Sequence, residues 1–406
     1  MGSGTELELN SVLESVLEVL DKPSFQEGVW RGSVSAEEKV PSLLAAHPEL
    51  VELAREVKAV KNKVLKNLDH YIDLAVESLK KVRAHPYVVS DREEARSILE
   101  RVVGRGKLVI MSKSMVAEEL GVREFLEELG NEVWETDLGQ LLVQLEGGKP
   151  MHTIAPAVHM TRERAVEMIR EKIDRSLPPD ADAEQAVAAV RRFLRDKFSR
   201  ADVGISGANA LAADTGAIVL VENEGNIRLV TGFPPVHVAL VGVDKIVPTF
   251  MDALKVAMVQ AAYAGLYPPT YLNVIAGPSN TADIELTRVY GAHGPKELHV
   301  LLVDNGRRKA AKHPMLWEQL RCVRCGRCQY ECPVWRHTAN VWGGPVYGGP
   351  MGVNWTAITL GEDQAAEIAH LCLGCARCDA VCPVEIPISK IIRYLKTVYA
   401  RKHKIA

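Results

Sequence analysis

The run Cys322-Val-Arg-Cys325-Gly-Arg-Cys328-Gln-Tyr-Glu-Cys332-Pro333 returns further along the chain as Cys372-Leu-Gly-Cys375-Ala-Arg-Cys378-Asp-Ala-Val-Cys382-Pro383. Both read C-x2-C-x2-C-x3-C-P. They contain all eight cysteines of the sequence, and none precedes residue 322. A disulfide framework would spread its cysteines through a small secreted domain. Confinement to two like blocks points to metal–sulfur bonding instead, and no thiol is left over to act as a nucleophile.

Three thiolates at intervals of three residues line a tight loop and reach three corners of a cubane. The fourth cysteine, just before a proline, turns to the other cluster in bacterial two-cluster proteins. The spacing therefore predicts two [4Fe-4S] clusters. Cys322, Cys325 and Cys328 with Cys382 would hold the first; Cys372, Cys375 and Cys378 with Cys332 would hold the second. The competing reading is zinc on four cysteines, which also uses C-x2-C. Gly326 and Gly374 sit where each loop must close on its inorganic core. Arg324, Arg327 and Arg377 lie inside the loops, where positive charge favours the reduced cluster. The insert between the blocks carries Trp335, Trp342 and Trp355, read as packing that keeps water off the clusters or else as a docking surface.

Working outward, 406 residues suggest two or three folding units. Lys plus Arg number 49 against 52 Asp plus Glu, a formal net charge of −3, without the basic excess of a nucleic-acid binder. With 47% apolar and 25% charged residues the chain reads as globular rather than disordered. No run approaches the ~18 apolar residues of a membrane span. Met1 to Asn10 is acidic and lacks the basic and apolar regions of a secretion signal, so the expected compartment is the cytoplasm.

Residues 6 to 83 read as helices. Leu7, Leu9, Val12, Leu13, Val16, Leu17 and Leu20 form one apolar set ending near Pro23, and another runs from Leu50 to Val82. From about residue 107 short strands and helices alternate, which argues for an α/β sheet, partly parallel. Strands are expected at Leu108–Met111, Glu132–Glu135, Gly216–Val221, Ile227–Thr231, Val236–Val241, Tyr271–Ile275 and Leu298–Val303. Helices are expected at Met115–Leu129, Arg162–Ile173, Ala183–Phe198 and Phe250–Ala262. Asn305 to Pro314 is basic and bounded by Gly and Pro, as a linker or a helix start would be. An amphipathic helix follows Pro387. The expected division is an N-terminal helical region over 1–100, an α/β domain over 101–304 and a cluster domain over 314–406.

No G-x-G-x-x-G opens a helix and no Walker A run is present. Taking a hydride from an alcohol moves two electrons, so a two-electron acceptor such as a flavin is expected elsewhere in a complex. Three places could carry chemistry. Glu222-Asn-Glu224-Gly-Asn-Ile-Arg228 sets carboxylates beside an arginine, or is a hairpin turn. Gly277-Pro-Ser279-Asn-Thr-Ala-Asp-Ile-Glu285 reads as a strand end, a turn and a helix start whose amides would bind a carboxylate, with plain capping as the alternative. His237, on an apolar strand, reads as structural, and His293, in a loop, as the more plausible functional group.

The runs Asp214-Thr-Gly-Ala-Ile-Val-Leu-Val-Glu-Asn-Glu-Gly-Asn226, Lys245-Ile-Val-Pro248, Gly277 to Glu285, Gly291-Ala-His-Gly-Pro295 and Lys113-Ser-Met115 occur together. With them the chain resembles the LUD domain of lactate-utilization proteins, and the double cysteine block resembles that of the lactate-utilization protein B family. The resemblance runs from about residue 40 to residue 400. It implies the fold shared by ribose-5-phosphate isomerase, glucosamine-6-phosphate deaminase and CoA transferases, followed by an alpha-helical ferredoxin domain. It also implies an iron–sulfur electron-transfer subunit of an oxidoreductase that takes L-lactate, or a similar 2-hydroxy acid, to pyruvate. The implied partners are a cysteine-rich subunit related to heterodisulfide reductase and a second LUD protein. Glu222-Asn223-Glu224-Gly225 echoes the glutamate loop of CoA transferases with an extra residue, and no covalent nucleophile is carried over. The chain stops soon after the second block, where longer members of the family continue. Two other readings stand beside this one: a CoA-transferase- or isomerase-like enzyme with a redox-sensing cluster domain, and a partner-binding LUD module.

Overall fold

The computed structural model describes residues 9–404, so Leu7 and most of the acidic amino end lie outside it. Four helices open the chain, at Leu9–Leu20, Pro23–Ala46, Glu49–Lys66 and Leu68–Lys81. Pro23 sits in the first turn of the second helix, where a missing N–H costs nothing. The apolar rows of the third and fourth helices, such as Leu50, Ala54, Val57 and Val64, are buried.

The centre is a six-stranded sheet, parallel throughout, in the spatial order His85–Val89, Glu297–Val303, Val236–Gly242, Val203–Ser206, Leu108–Met111 and Glu132–Glu135. Its central strands are near-continuous apolar runs because helices cover both faces. A smaller four-stranded sheet orders Ile246–Val247, Ala210–Ala212, Ile218–Glu222 and Tyr271–Ile275. The expected strands at 108–111, 132–135 and 271–275 form at those residues, and three others form within two residues of their expected ends.

Four local expectations are overturned. Ile227–Thr231 lies in a helix, Asn226–Gly232: Gly225 takes the left-handed conformation before it and Glu222 accepts from the Arg228 N–H, which starts a helical turn. Glu222 to Arg228 is therefore a strand-to-helix connection, not a hairpin. The segment after Gly277 is a small hairpin, Asn280–Thr281 against Val289–Tyr290, rather than a helix start. Met115–Leu129 breaks into two helices at Gly121, which is left-handed. Of the two readings of Asn305–Pro314, the helix start is the one that forms: Arg307–Ala311 is helical after the left-handed Gly306, and Arg307 is fully buried.

One apolar core joins Val16, Phe25 and Val29 of the first two helices to Ala257 of Phe250–Tyr263 and to Trp335, Trp355 and Ile391 of the cysteine-rich region. Trp335, Trp342 and Trp355 are each fully buried. The helix after Pro387, Ile388–Lys402, packs on Glu362–Ala369 through Ile391, Ile392 and Leu395.

Candidate functional site: a cavity against the first cysteine loop

Ligands of parallel sheets lie beyond the carboxyl ends of the strands, where loops diverge and helix N-termini begin. Here four adjacent strands end at Met111, Glu135, Ser206 and Gly242. The residues that follow them line one cavity of about 410 Å³: Lys113 and Ser114, Asp137, Gly207 to Asn209, and Lys245. Ser114 and Asp137 each cap a helix, accepting from Ala117 and Gln140 backbone N–H groups, so those loops are fixed. The smaller sheet adds Leu220 to Glu224. The loop Thr153 to Val158 closes one wall, and Arg324 reaches in from between Cys322 and Cys325.

Arg324 is held in place by a buried charge network. Its Nη1 donates to Asp244 Oδ2 at 2.9 Å and to the Cys322 carbonyl at 2.7 Å, while its guanidinium lies 3.8 Å from the centre of the Trp355 ring. Asp244 also accepts from Arg307 Nε at 2.5 Å, and its carbonyl accepts from Lys61. Arg307 in turn grips Glu119 with two nitrogens at 2.6 and 3.0 Å, and Tyr347 donates to the same carboxylate. Burial pushes the Asp244 carboxyl up, but Arg324, Arg307 and Lys61 outweigh it and hold the pKa well below the usual carboxylate range. Burial lowers Lys61 to about 8 and Lys245 to about 7.

The cavity loop is also latched to the first cysteine block. His152 stacks on Tyr330 with ring centres 4.0 Å apart, its Nε2 lies 3.2 Å from the Gly326 carbonyl, and its Nδ1 accepts from Ile154 and Ala155. Burial drops its pKa to about 3, so the ring is neutral. Gly326 has φ +75°, and a Cβ there would stand 2.7 Å from the His152 ring, so this glycine makes room for a histidine.

Below that loop the sulfurs surround two small pockets. Cys322, Cys325, Cys328 and Cys382 line one with Met351, Val384 and Ile386; Cys332, Cys372, Cys375 and Cys378 line the other with Val334 and Leu373. Each pocket thus draws three sulfurs from one block and the fourth from the other. Burial pushes the Cys332 and Cys382 thiols up to about 11. Sulfurs that ionise this reluctantly on their own suit a soft-metal donor set, in which bound iron supplies the positive charge the thiolates need. In the first set no cysteine is exposed, though Cys322 and Cys382 are half-buried, whereas the second set reaches solvent at Cys375 and at Leu373, which is 71% exposed. Arg327 is buried, donating to the Ala36 carbonyl and pairing with Glu331 at 2.6 Å, and the exposed Arg377 bridges Glu37 and Glu331.

Glu222 and Glu224 line the cavity, but differently. Both Glu222 oxygens are engaged by Arg228, through its backbone N–H at 2.7 Å and its Nε at 2.8 Å, and Arg228 stacks on Tyr271. Glu224 sits at the mouth, open to water on one side, and accepts from the Leu138 N–H. Burial, then the Asp137 charge, push its pKa up to about 7. Ser279 and His293 are not among the residues lining the cavity: Ser279 accepts from the Gly294 N–H, and His293 is exposed on the same turn. His237 is buried against Ser206 at 2.8 Å, neutral because burial lowers it to about 3. Sequence reasoning did not single out Asp137, Asp244, Arg307 or the cavity role of Lys113, Lys245 and Arg324. A signal existed, because Lys113, Asp137 and Lys245 each stand two or three residues past a strand end.

Residues 72–303 match the family model described as "LUD domain", and residues 318–386 match "4Fe-4S dicluster domain". The chain is 34% identical to the "Uncharacterized electron transport protein YkgF" of Escherichia coli over 84% of its length and 70% of that protein's. It is 35% identical to "Lactate utilization protein B" of Bacillus subtilis, covering 82% of this chain and 68% of that one. It is 34% identical to "Lactate utilization protein B" of Bacillus velezensis, covering 91% and 78%. A solved structure of a DUF162 family protein from Deinococcus radiodurans aligns over 59% of this chain and 98% of that one, at 18% identity and a TM-score of 0.29, too low to add to the fold. With a LUD domain over most of its length, a dicluster domain behind it and relatives this similar, the chain belongs to the lactate utilization protein B family.

Proposed function

We propose that this chain is the iron–sulfur, electron-transferring subunit of a cytoplasmic oxidoreductase complex that oxidises L-lactate, or a similar 2-hydroxy acid, to the 2-oxo acid. The observation that carries the reading is Arg324, which belongs to the loop of the first cysteine set and also lines the LUD cavity. Cys322, Cys325, Cys328 and Cys382 would hold one [4Fe-4S] cluster, and Cys332, Cys372, Cys375 and Cys378 the other. When bound, such clusters supply one-electron transfer. Removing a hydride moves two electrons, so a flavin-class acceptor and the partners implied by the resemblance, a cysteine-rich subunit and a second LUD protein, complete the complex.

What the chain's own residues contribute follows from their positions. Trp335, Trp342 and Trp355 exclude water around the sulfur pockets. The pocket whose loop carries Arg324 lies toward the cavity, and the pocket that includes the exposed Cys375 and Leu373 faces solvent, where an electron-exchange partner can approach. Glu222, locked by Arg228, orders the cavity wall, and Glu224 at the mouth can hold or release a proton near neutral pH.

The test is oxygen-free purification with the partners, iron and flavin analysis, and visible spectra before and after L-lactate. The expected result is about 8 irons per polypeptide and bleaching by lactate in the complex but not in this chain alone. Zinc in place of iron, or a complex indifferent to 2-hydroxy acids, overturns the proposal.

A further inference from the structure

We propose that the cavity at the carboxyl edge of the parallel sheet binds a small 2-oxo or 2-hydroxy carboxylate, held between the free edge of the Arg324 guanidinium and the Lys113 ammonium. The choice of acid rests on the lactate reading above. The existence of the anion site rests on the geometry alone.

Arg324 is only 3% exposed, and its Nη1 is committed to Asp244 and the Cys322 carbonyl. Its Nε and Nη2 are buried and have no hydrogen-bond partner among the described residues. Those two nitrogens form one edge of the planar guanidinium, the edge that meets a carboxylate with two parallel bonds. Buried donors left unpaired are costly, so this edge is shaped for something that enters the cavity. Its φ of +62° and its place in the charge network hold it there.

Lys113 lines the same cavity and makes no hydrogen bond or ion pair among the described residues. Thr153 lines it too, with a buried hydroxyl that has no hydrogen-bond partner among the described residues. Glu224 and Asn226 line the cavity as well, and can meet a 2-oxygen. Ile154, Ala157, Val158 and Leu220 give an apolar wall for a short alkyl group. Asp137 and Glu224 oppose a dianion, and only one arginine edge is free, so a monocarboxylate fits better than a phosphate. At about 410 Å³ the cavity exceeds a three-carbon acid and leaves room for a co-reactant beside it.

The position has a consequence for the neighbouring sulfur set. A carboxylate on Arg324 cancels positive charge beside the Cys322–Cys325 loop and so disfavours a reduced, more negative cluster. By linkage the acid then binds the oxidised chain more tightly. A tenfold difference in affinity equals about 59 mV of lowered potential for a one-electron couple.

The experiment uses the full, iron-loaded chain under oxygen-free conditions, titrated calorimetrically with pyruvate, L-lactate, propionate and inorganic phosphate. Pyruvate and lactate are expected to bind with propionate weaker. Lys113→Gln, which breaks no hydrogen bond or ion pair among the described residues, should weaken them about tenfold or more with iron content unchanged. Arg324→Lys, which keeps the charge but loses the two-pronged edge, should weaken them as well. Pyruvate should also lower the midpoint potential of one cluster in wild type and not in Lys113→Gln. No saturable binding, unchanged affinity in Lys113→Gln, or phosphate as the tightest ligand overturns the inference. A complex bleached by lactate around a chain that binds no acid would sink this site and leave the proposed function standing. A chain that binds the acid within a complex that lactate never reduces would do the reverse.

Discussion

Asp244 is where most of the buried charge converges, between Arg307, Arg324 and the Lys61 ammonium on its carbonyl. Buried pairs are weak evidence for stability as built, but deleting one partner leaves a charge with neither water nor counter-ion. Asp244→Ala should therefore cost about 3–5 kcal/mol in anaerobic urea denaturation, and a loss under 1 kcal/mol would mean the arginines find water. Arg327 poses a sharper question. It is buried and shares its charge with Glu331, so Arg327→Ala removes a cation and strands a carboxylate near the sulfurs. Both effects disfavour the reduced state, and one midpoint potential should fall in a redox titration. An unchanged value would show that Arg377 alone neutralises Glu331. The cavity should also respond to pH. As pH rises through about 7, Glu224 gains a negative charge and Lys245 loses its positive one; Lys113 follows at about 8, while Arg324 keeps its charge. All three changes oppose an anion, so pyruvate affinity should decline from pH ~6 to pH ~8.5. Calorimetry across that range checks the sign, and a flat profile would remove these groups from contact with the ligand.

Among elements, the parallel strands were readable because long apolar runs such as Leu298–Val303 have few other ways to be buried. The helix Asn226–Gly232 was not readable. Ile227, Val230 and Thr231 are β-branched and favour a strand locally, and the glutamate that nucleates the turn lies in the preceding strand. Val203–Ser206 passed unnoticed for a related reason: four residues with a glycine carry little pattern. That glycine, Gly204, is set by the same helix, because a Cβ there would lie 1.9 Å from the Val230 carbonyl. The candidate site was half legible. The cysteine spacing is local and visible, whereas the cavity assembles single residues from four strand ends and one distant loop, a pattern only the sheet order creates. The latch between those parts is testable. Gly326→Ala forces a side chain onto a left-handed backbone and into the His152 ring, at about 1–3 kcal/mol. Faster iron loss on chelation is the expected readout, partly restored by His152→Ala.

For the whole molecule, the shared core matters more than the division into regions. The residues that carry it come from the first helices, the smaller sheet's helix and the cysteine-rich segment together. Removal of iron should therefore lower the stability of the entire chain, not of its last third. Far-ultraviolet circular dichroism under denaturant should show one transition, shifted to lower denaturant in the iron-free form. Two separate transitions, with the earlier one alone moved by iron, would mean the regions fold independently.

The unequal shelter of the two sulfur pockets sets an order of injury. Dioxygen and other small oxidants meet the sulfur of Cys375 at the surface before anything beyond Trp355 and Met351. Exposure to air should accordingly erase one paramagnetic signal first while the other persists. A docked subunit that caps Leu373 would serve as a shield as much as a conductor.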